Sequence, residues 1–276
     1  MPELPEVETV RKTLEGMIVG KTIASIDVYY GKIIHNLSVP AFILRLQGQT
    51  LQSMGRYGKY LFFQFDRDTL ISHLRMEGRY FLKPASEDIE KHEHIVFHFT
   101  DDTTLRYQDV RKFGTMELVP VGTERQHASI LAMGPEPADP RLDGAYLERM
   151  VGRAKRPIKS ALLDQSVVTG LGNIYVDEVL FLAKLHPQTV CSTLSITDFQ
   201  NIAMASREVI QQAILLGGTT IRTYLSSLGV SGRFQNQLNV HMQKGKPCAV
   251  CQTTILKIKV GGRGTYYCPH CQPLRG

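Results

Sequence analysis

Residues 248–271 read CAVCQTTILKIKVGGRGTYYCPHC and contain four of the five cysteines, spaced Cys248-x2-Cys251-x16-Cys268-x2-Cys271. Each Cys-x-x-Cys turn can direct two thiolates at one tetrahedral ion, so this spacing is typical of a zinc site. Between the two pairs, residues 254–260 alternate as a strand, residues 261–264 form a glycine-rich turn, and residues 265–267 return as a second strand. The stretch therefore predicts a β-hairpin held by one structural Zn²⁺.

The same four cysteines could instead form two disulfide bonds. The chain opens Met1-Pro2-Glu3-Leu4-Pro5-Glu6, which is acidic, interrupted by proline and unlike a signal peptide. No run approaches the roughly 18 apolar residues of a membrane span. We therefore expect a soluble cytoplasmic protein, in which disulfides are rare, and favour zinc. The remaining cysteine, Cys191, is expected to be a small buried apolar side chain.

The chain has 276 residues, enough for about two domains with a core in each. It contains 32 Lys and Arg against 26 Asp and Glu, a formal net charge of +6. This balance argues against an acidic disordered protein and favours a partner that carries phosphate.

The periodicity of the sequence changes twice along the chain. Residues 2–19 predict a helix with an apolar stripe, and residues 21–120 predict short antiparallel strands, with Asp101-Asp102 as a hairpin turn. Residues 133–137 and Pro140 indicate a linker. Helical segments follow, among them one from about Ile174 to Leu185 and one that begins with a capping box at Ser195.

The first residues could carry chemistry. If Met1 is removed, Pro2 presents a secondary amine, and a terminal amine has a pKa of about 7.7–8.0, so part of it is nucleophilic at neutral pH. Attack of this amine on the anomeric carbon of a sugar gives an iminium ion, and the neighbouring Glu3 could move protons. The alternative is that Pro2 and Pro5 only begin a helix.

Motifs along the whole chain resemble one family. They are residues 1–9 (MPELPEVET), 73–78 (HLRMEG), 109–114 (DVRKFG), 134–137 (GPEP), 172–178 (GNIYVDE), 261–265 (GGRGT) and the cysteine tail. Together they resemble bacterial formamidopyrimidine-DNA glycosylase, which excises 8-oxoguanine and also cleaves the resulting abasic (AP) site. The resemblance implies an oxidised-purine DNA glycosylase/AP lyase that acts in base excision repair on double-stranded DNA.

The resemblance also implies an α+β fold. We expect an N-terminal antiparallel β-sandwich with an N-terminal helix over residues 1–132, which is the catalytic domain. A helical helix–two-turn–helix domain would occupy residues 133–237 and a zinc hairpin residues 238–276. DNA would bind in a basic cleft between the domains, and we expect a monomer. Four thiolates leave zinc no open position, so the zinc would be structural.

Catalytic roles follow from the resemblance for four residues. Pro2 would be the nucleophile that forms a Schiff base, and Glu3 would protonate the sugar ring oxygen and then move protons through β,δ-elimination. Glu6 would orient the amine, or would only match the helix dipole. Lys59, which we expect to open a strand, would contact phosphate and assist catalysis.

The resemblance assigns DNA contacts to a second group. His73, Asn173 and Arg263 would bind phosphate, with Asn173 at a glycine-rich helix start and Arg263 at the tip of the zinc hairpin. Because the target nucleotide must leave the stack, Met76, Arg111 and Phe113 would fill the void, and Arg111 would pair with the orphaned cytosine. Without the resemblance, Met76 and Phe113 would be read as core residues and Arg111 as a solvated charge.

Recognition of the damaged base is expected in residues 217–224. 8-Oxoguanine carries a hydrogen on N7 where guanine has an acceptor, so a carbonyl directed at N7 separates the two bases. Thr219 would supply this carbonyl in place of a frequent serine. Backbone amides near Ile221, Arg222, Thr223 and Tyr224 would hold O6.

Besides Thr219, the chain departs from the family at residues 241–242 and, mildly, at Ala138 in the linker. His241-Met242 stands where Tyr-Gly is common, which puts a phosphate contact of the family in doubt for this chain.

Two alternative functions remain. An endonuclease VIII-like glycosylase would act on oxidised pyrimidines, but its start usually reads Pro-Glu-Gly-Pro-Glu, whereas this chain has Leu4. A non-catalytic, zinc-dependent binder of damaged DNA would keep Asn173, Arg263 and the cysteines but would not need a free Pro2 beside Glu3.

Overall fold

The computed structural model describes residues 1–219 and 232–274. The chain separates into two compact units, Met1–Leu131 with Gly217–Gly232, and Ala132–Leu216 with Arg233–Gly276. The first unit contains α1 (Leu4–Ile18), β1 (Ile23–Val28), α2 (Val39–Leu46), β2 (Leu51–Tyr57), β3 (Tyr60–Phe65), β4 (Asp68–His73), β5 (Arg79–Pro84), β6 (Glu93–Phe99), β7 (Thr103–Gln108), β8 (Thr115–Pro120) and α3 (Ala128–Leu131). The second contains α4 (Gly144–Val151), α5 (Ile158–Leu162), α6 (Asn173–Leu182), α7 (Ile196–Leu215), β9 (Leu256–Val260) and β10 (Arg263–Tyr267).

Helix α1 carries the predicted apolar stripe. Val7, Val10 and Leu14 are buried on one face, and the helix packs against β2. Pro5 lies in the first turn, where the missing N–H of proline costs no intrahelical hydrogen bond. The helix therefore brings the start of the chain against the sheets.

The strands of the first unit form two four-stranded antiparallel sheets, in the orders β1-β6-β7-β5 and β2-β3-β4-β8. Their inner faces share one apolar core, to which Phe63 and Leu70 contribute from one sheet and Phe97 and Leu105 from the other. The predicted antiparallel β-sandwich with an N-terminal helix is confirmed.

Three details of the loops and strand ends add to what the sequence predicts. The turn expected at Asp101-Asp102 joins β6 to β7, where His98 pairs with Thr104. Helix α2 was not expected, although Ser38 caps it and Pro40 follows in its first turn. Lys59 lies in the two-residue turn between Tyr57 and Tyr60, one position before the strand that it was expected to open.

The second unit begins with helices. Ser195 caps α7 through a capping box with Asp198, as the sequence predicts. Helix α6 is buried along most of its length and packs on α7. Cys191 is buried, as expected, and burial raises the pKa of its thiol to about 11. In the described residues, no helix is long and apolar enough to cross a membrane.

The chain ends in the expected β-hairpin. Strands β9 and β10 pair with Val260 opposite Arg263, so Gly261 and Gly262 alone form the turn, both with positive φ. This conformation favours glycine at both positions of a two-residue hairpin turn. Arg263 is consequently the first residue of the returning strand rather than a turn residue.

Candidate active site and zinc centre

The start of the chain is buried except for Met1. Pro2, Glu3 and Glu6 are all buried, and Glu3 and Glu6 form a capping box at the N-terminus of α1. The Glu6 Oε2 atom accepts the backbone N–H of Glu3 at 2.8 Å. Glu6 thereby fixes the peptide next to Pro2.

The other oxygen of Glu6 holds a distant segment of the chain. Its Oε1 atom accepts the backbone N–H of Thr219 at 2.7 Å and the Thr219 hydroxyl at 3.0 Å. Gly218 has φ +76°, and a Cβ atom there would lie 2.7 Å from Glu6 Oε1. Only glycine allows this close approach, so residues 218–219 are held against the N-terminal turn.

Four of the expected lesion-recognition residues, Ile221, Arg222, Thr223 and Tyr224, lie outside the described residues. Thr219 is described and buried. Its backbone N–H donates to Glu6.

Lys59 and His73 lie at neighbouring strand ends. Tyr60, directly after Lys59, pairs with His73 across β3 and β4, and both Lys59 and His73 are buried. His73 Nδ1 accepts the backbone N–H of Arg75 at 2.9 Å. Burial, followed by the charges of Arg75 and Lys59, lowers the pKa of His73 to about 3. The imidazole is therefore neutral at physiological pH, and Nε2 carries its hydrogen.

The three expected void-filling residues lie on two exposed loops. Met76 is 39% exposed and Phe113 52% exposed, unlike core residues. The Arg111 guanidinium carbon lies 4.7 Å from the centre of the Phe113 ring. This distance is typical of a cation–π contact, so Arg111 and Phe113 form one projecting pair.

The other two expected DNA contacts lie in the second unit. Asn173 is the first residue of α6, after Gly172 at the N-cap, and its Nδ2 atom donates to the carbonyl of Gly264 at 2.9 Å. Arg263 is exposed beside Gly264. The start of α6 and the turn of the hairpin therefore meet.

The four expected zinc ligands converge. The sulfur atoms of Cys248, Cys251, Cys268 and Cys271 all lie within 4.8 Å of one another, and tetrahedral thiolates about 2.3 Å from Zn²⁺ are about 3.8 Å apart. The Sγ separations of 3.4 Å and 3.9 Å exceed the roughly 2.05 Å of a disulfide bond. The residues fit one structural zinc ion, and the disulfide alternative is wrong.

A buried ion-pair network, which was not among the expected sites, adjoins the hairpin. Asp177 Oδ1 accepts from Lys159 Nζ at 2.6 Å, and its Oδ2 accepts from His241 Nδ1 at 2.8 Å. Oδ2 also accepts the backbone N–H of Tyr266 at 3.2 Å. An acidic residue inside the apolar sequence of α6 is a signal for such a pair, since buried charges require partners.

His241, which departs from the family, thus joins this network. Beside it, Glu178 accepts the backbone N–H groups of Asn239, Val240 and His241 at 2.8–3.0 Å. Both acidic residues of α6 therefore hold the segment that leads into the zinc site.

Comparisons with known proteins agree with this architecture. Three family models match: the formamidopyrimidine-DNA glycosylase N-terminal domain over residues 1–116, the formamidopyrimidine-DNA glycosylase H2TH domain over residues 133–225, and a zinc finger found in FPG and IleRS over residues 245–274. Formamidopyrimidine-DNA glycosylase from Oceanobacillus iheyensis is 49% identical over 99% of this chain and 98% of its own length. The Bacillus subtilis protein is 48% identical over 99% of both.

Solved structures of similar proteins contain damaged DNA. A Lactococcus lactis FPG mutant in complex with DNA that contains Fapy-dG has a TM-score of 0.93 and 44% identity, covering 99% of this chain and 100% of that one. The Lactococcus lactis Fpg with DNA that contains an abasic site has a TM-score of 0.92 and 44% identity, covering 98% and 99%.

The matches to the glycosylase domain, the H2TH domain and the zinc finger place the chain among the DNA-repair glycosylases, which bind DNA. Within that class, the chain belongs to the formamidopyrimidine-DNA glycosylase family.

Proposed function

We propose that this chain is a bifunctional DNA glycosylase/AP lyase that removes oxidised purines, formamidopyrimidines and 8-oxoguanine, from duplex DNA through a Schiff base on Pro2. Residues 1–132 would form the catalytic domain, residues 133–237 the helix–two-turn–helix DNA-binding domain, and residues 238–276 the zinc hairpin. We further propose that it acts as a monomer in the bacterial cytoplasm, where the chromosome lies.

The observation that carries the proposal is the bridge made by Glu6. One carboxylate accepts the N–H of Glu3, next to Pro2, and also both donors of Thr219. A nucleophile must be held in a fixed orientation to react efficiently. Glu6 supplies this constraint and links it to the residue proposed to read the base.

The first step uses the amine that is freed when Met1 is removed. The Pro2 nitrogen attacks C1′ of the extruded nucleotide, and the glycosidic bond breaks, so the base leaves with the bonding electron pair and takes up the proton that the Pro2 nitrogen releases. Glu3 protonates O4′ as the C1′–O4′ bond breaks. The product is an iminium ion between Pro2 and the ring-opened sugar.

Two eliminations follow from the iminium ion. It acidifies C2′, and loss of a C2′ proton expels the 3′ phosphate in the β-elimination. Loss of a C4′ proton then expels the 5′ phosphate in the δ-elimination, and water hydrolyses the remaining iminium bond to release Pro2. Glu3, buried beside the nucleophile, would carry the protons between these steps.

Lys59 and His73 are proposed to hold the phosphates that flank the extruded nucleotide. Lys59 offers the N–H groups of its side-chain nitrogen, and neutral His73 offers its Nε2–H, since Nδ1 already accepts from Arg75. A neutral histidine would keep this contact throughout the physiological pH range. In the second unit, Arg263 and the first turn of α6 at Asn173 offer further donors to phosphate.

Thr219 is proposed to recognise the base. Its carbonyl would accept N7–H of 8-oxoguanine and would face the N7 lone pair of guanine unfavourably. Because Glu6 holds both the N–H and the hydroxyl of Thr219, the change from serine should leave this backbone role intact. Ile221, Arg222, Thr223 and Tyr224 would supply the donors to O6.

The proposal is tested by substrate choice together with borohydride trapping. The zinc-loaded protein without Met1 should cleave 8-oxoguanine:C faster than thymine glycol:A, and reductant should yield a covalent protein–DNA adduct. Faster cleavage of thymine glycol:A would favour the endonuclease VIII-like alternative. Binding of lesion DNA without base release or adduct would favour the non-catalytic binder. Either result would overturn the proposal.

A further inference from the structure

The loop formed by residues 110–113 is exposed between two buried residues, Asp109 and Gly114. It carries Arg111 and Phe113, which contact each other but project from the sandwich. A projecting loop keeps one conformation only if its two ends are fixed. The groups that hold these ends therefore determine where Arg111 points.

The carboxylate of Asp109 holds the two ends of the loop together. Its Oδ1 atom accepts the backbone N–H of Arg111 at 3.0 Å, and its Oδ2 atom accepts the backbone N–H of Gly114 at 2.8 Å. One oxygen is thus used on each side of the loop. Hydrogen bonds to an ionised carboxylate are the stronger kind, particularly when buried.

The backbone of Asp109 is itself anchored to the sheet. Its N–H donates to the carbonyl of His92 at 3.0 Å, and its carbonyl accepts from His94 Nε2 at 2.9 Å. Asp109 is therefore a fixed point from which the loop extends.

The Tyr107 hydroxyl lies between Asp109 and a second loop, the one that bears Met76. It lies 3.4 Å from Asp109 Oδ2. A Cβ atom at Gly114 would lie 1.6 Å from that hydroxyl, and one at Gly78 would lie 2.3 Å from it. A side chain at either position would clash with the hydroxyl, so both positions require glycine. The loop that bears Met76 and the loop that bears Arg111 therefore both pack against the Tyr107 hydroxyl.

We propose that Asp109 is a positioning residue that sets the register in which Arg111 and Phe113 enter the DNA, and so decides which base is accepted opposite the lesion. The inference rests on the proposed function, in which Arg111 reads the orphaned cytosine. A guanidinium on a fixed loop can require cytosine, whereas one on a loosened loop can adapt to adenine.

The test variant is Asp109→Asn, which preserves size. The amide has one acceptor oxygen, so its NH₂ group must face either the Arg111 or the Gly114 N–H donor. We expect the preference for 8-oxoguanine:C over 8-oxoguanine:A, measured as the ratio of single-turnover kcat/KM values, to fall about tenfold, the effect of leaving one buried donor unpaired. Tyr107→Phe, which removes only the hydroxyl, should lower the ratio less.

Two comparisons separate positioning from general damage to the fold. On an Arg111→Ala background, Asp109→Asn should not change the ratio further, since the two residues act as one unit. On single-stranded AP-site DNA, where there is no opposite base to read, Asp109→Asn should slow strand cleavage less than it slows cleavage of 8-oxoguanine:C duplex.

The matched control is Asp101→Asn at the other end of β7. Asp101 Oδ1 accepts the N–H of Thr103 at 3.2 Å in the same kind of turn, but on an exposed hairpin, and this variant should keep the wild-type ratio. An unchanged ratio in Asp109→Asn, or additive effects with Arg111→Ala, would overturn the inference while wild-type trapping still supports the proposed function. Failure of wild-type trapping would overturn both.

Discussion

Two buried carboxylates in this protein, Glu6 and Asp177, have different partners. Glu6 accepts the backbone N–H groups of Glu3 and Thr219 and the hydroxyl of Thr219. Asp177 accepts from Lys159 Nζ and His241 Nδ1 as well as from one backbone N–H. The first carboxylate orients segments proposed to react with and recognise DNA. The second neutralises the buried Lys159 ammonium group and holds the zinc hairpin to α5 and α6.

This difference separates activity from stability. Substitutions around Glu6 should lower the rate of base excision more than the free energy of unfolding, because Glu6 holds the peptide next to the proposed nucleophile and the residue proposed to read the base. Substitutions around Asp177 should do the reverse, since a buried charge left without its partner is costly.

The largest expected effect is on catalysis. Glu3→Gln keeps the N–H that Glu6 binds but removes the proposed acid, so base excision from 8-oxoguanine:C should slow by about 10²–10⁴-fold, the range for general acid–base catalysis. Its unfolding free energy should stay close to that of the wild type. Single-turnover kinetics and urea unfolding check the two halves, and a wild-type rate would contradict the role given to Glu3.

The next effect is on stability. Asp177→Asn leaves Lys159 buried without its counter-ion and should lower the free energy of unfolding by about 3–5 kcal/mol. The control is Asp164→Asn, which breaks the 3.0 Å pair with the partly exposed Arg156 and should cost at most about 1 kcal/mol. Equal losses in the two variants, measured by urea unfolding, would remove the distinction drawn for Asp177.

His73 predicts a pH dependence of stability. Its pKa is about 3 in the folded chain and about 6.5 when unfolded, so the unfolded state gains a proton first as the pH falls. His73 should therefore cost about 2 kcal/mol of stability between pH 7 and pH 5. His73→Gln should show a correspondingly shallower decline in urea unfolding over that range, and an identical decline would show that the histidine is not held neutral.

The smallest effect concerns Thr219. Thr219→Val removes the hydroxyl bond to Glu6 but keeps the N–H bond, so excision of 8-oxoguanine should slow about fivefold, the equivalent of one hydrogen bond of about 1 kcal/mol. Thr219→Ser, which retains the hydroxyl, is the matched control and should remain near wild type. If the serine variant slowed as much as valine, the hydroxyl contact would not matter.

Short-range signals in the sequence correctly predicted two helices and the zinc site. The apolar stripe gave the helix that the structure bounds at Leu4–Ile18, the capping box at Ser195 marked the start of α7, and cysteine spacing predicted the zinc site. Each of these signals lies within a few residues of the structure that it determines. Helix α2 shows that such a signal can be overlooked, since Ser38 and Pro40 announce it.

The contacts of the two buried carboxylates, Glu6 and Asp177, could not be predicted from such local signals. Glu6 meets Thr219 across 213 positions of sequence, and Asp177 meets His241 across 64. No periodicity or spacing encodes such pairings, because they depend on how finished elements pack. The resemblance to a family supplied candidate residues such as Pro2 and Arg111, but it supplied neither the bridge at Glu6 nor the anchor at Asp109.

The central claim is that the nitrogen of Pro2 bonds to deoxyribose, and the position of the trapped bond tests it most directly. The protein without Met1 would be incubated with 8-oxoguanine:C duplex and borohydride, digested, and analysed by tandem mass spectrometry. The account predicts that the sugar remnant is on the peptide that begins at Pro2, on its nitrogen. A remnant on Lys59, or an equal yield of adduct from protein that retains Met1, would contradict it.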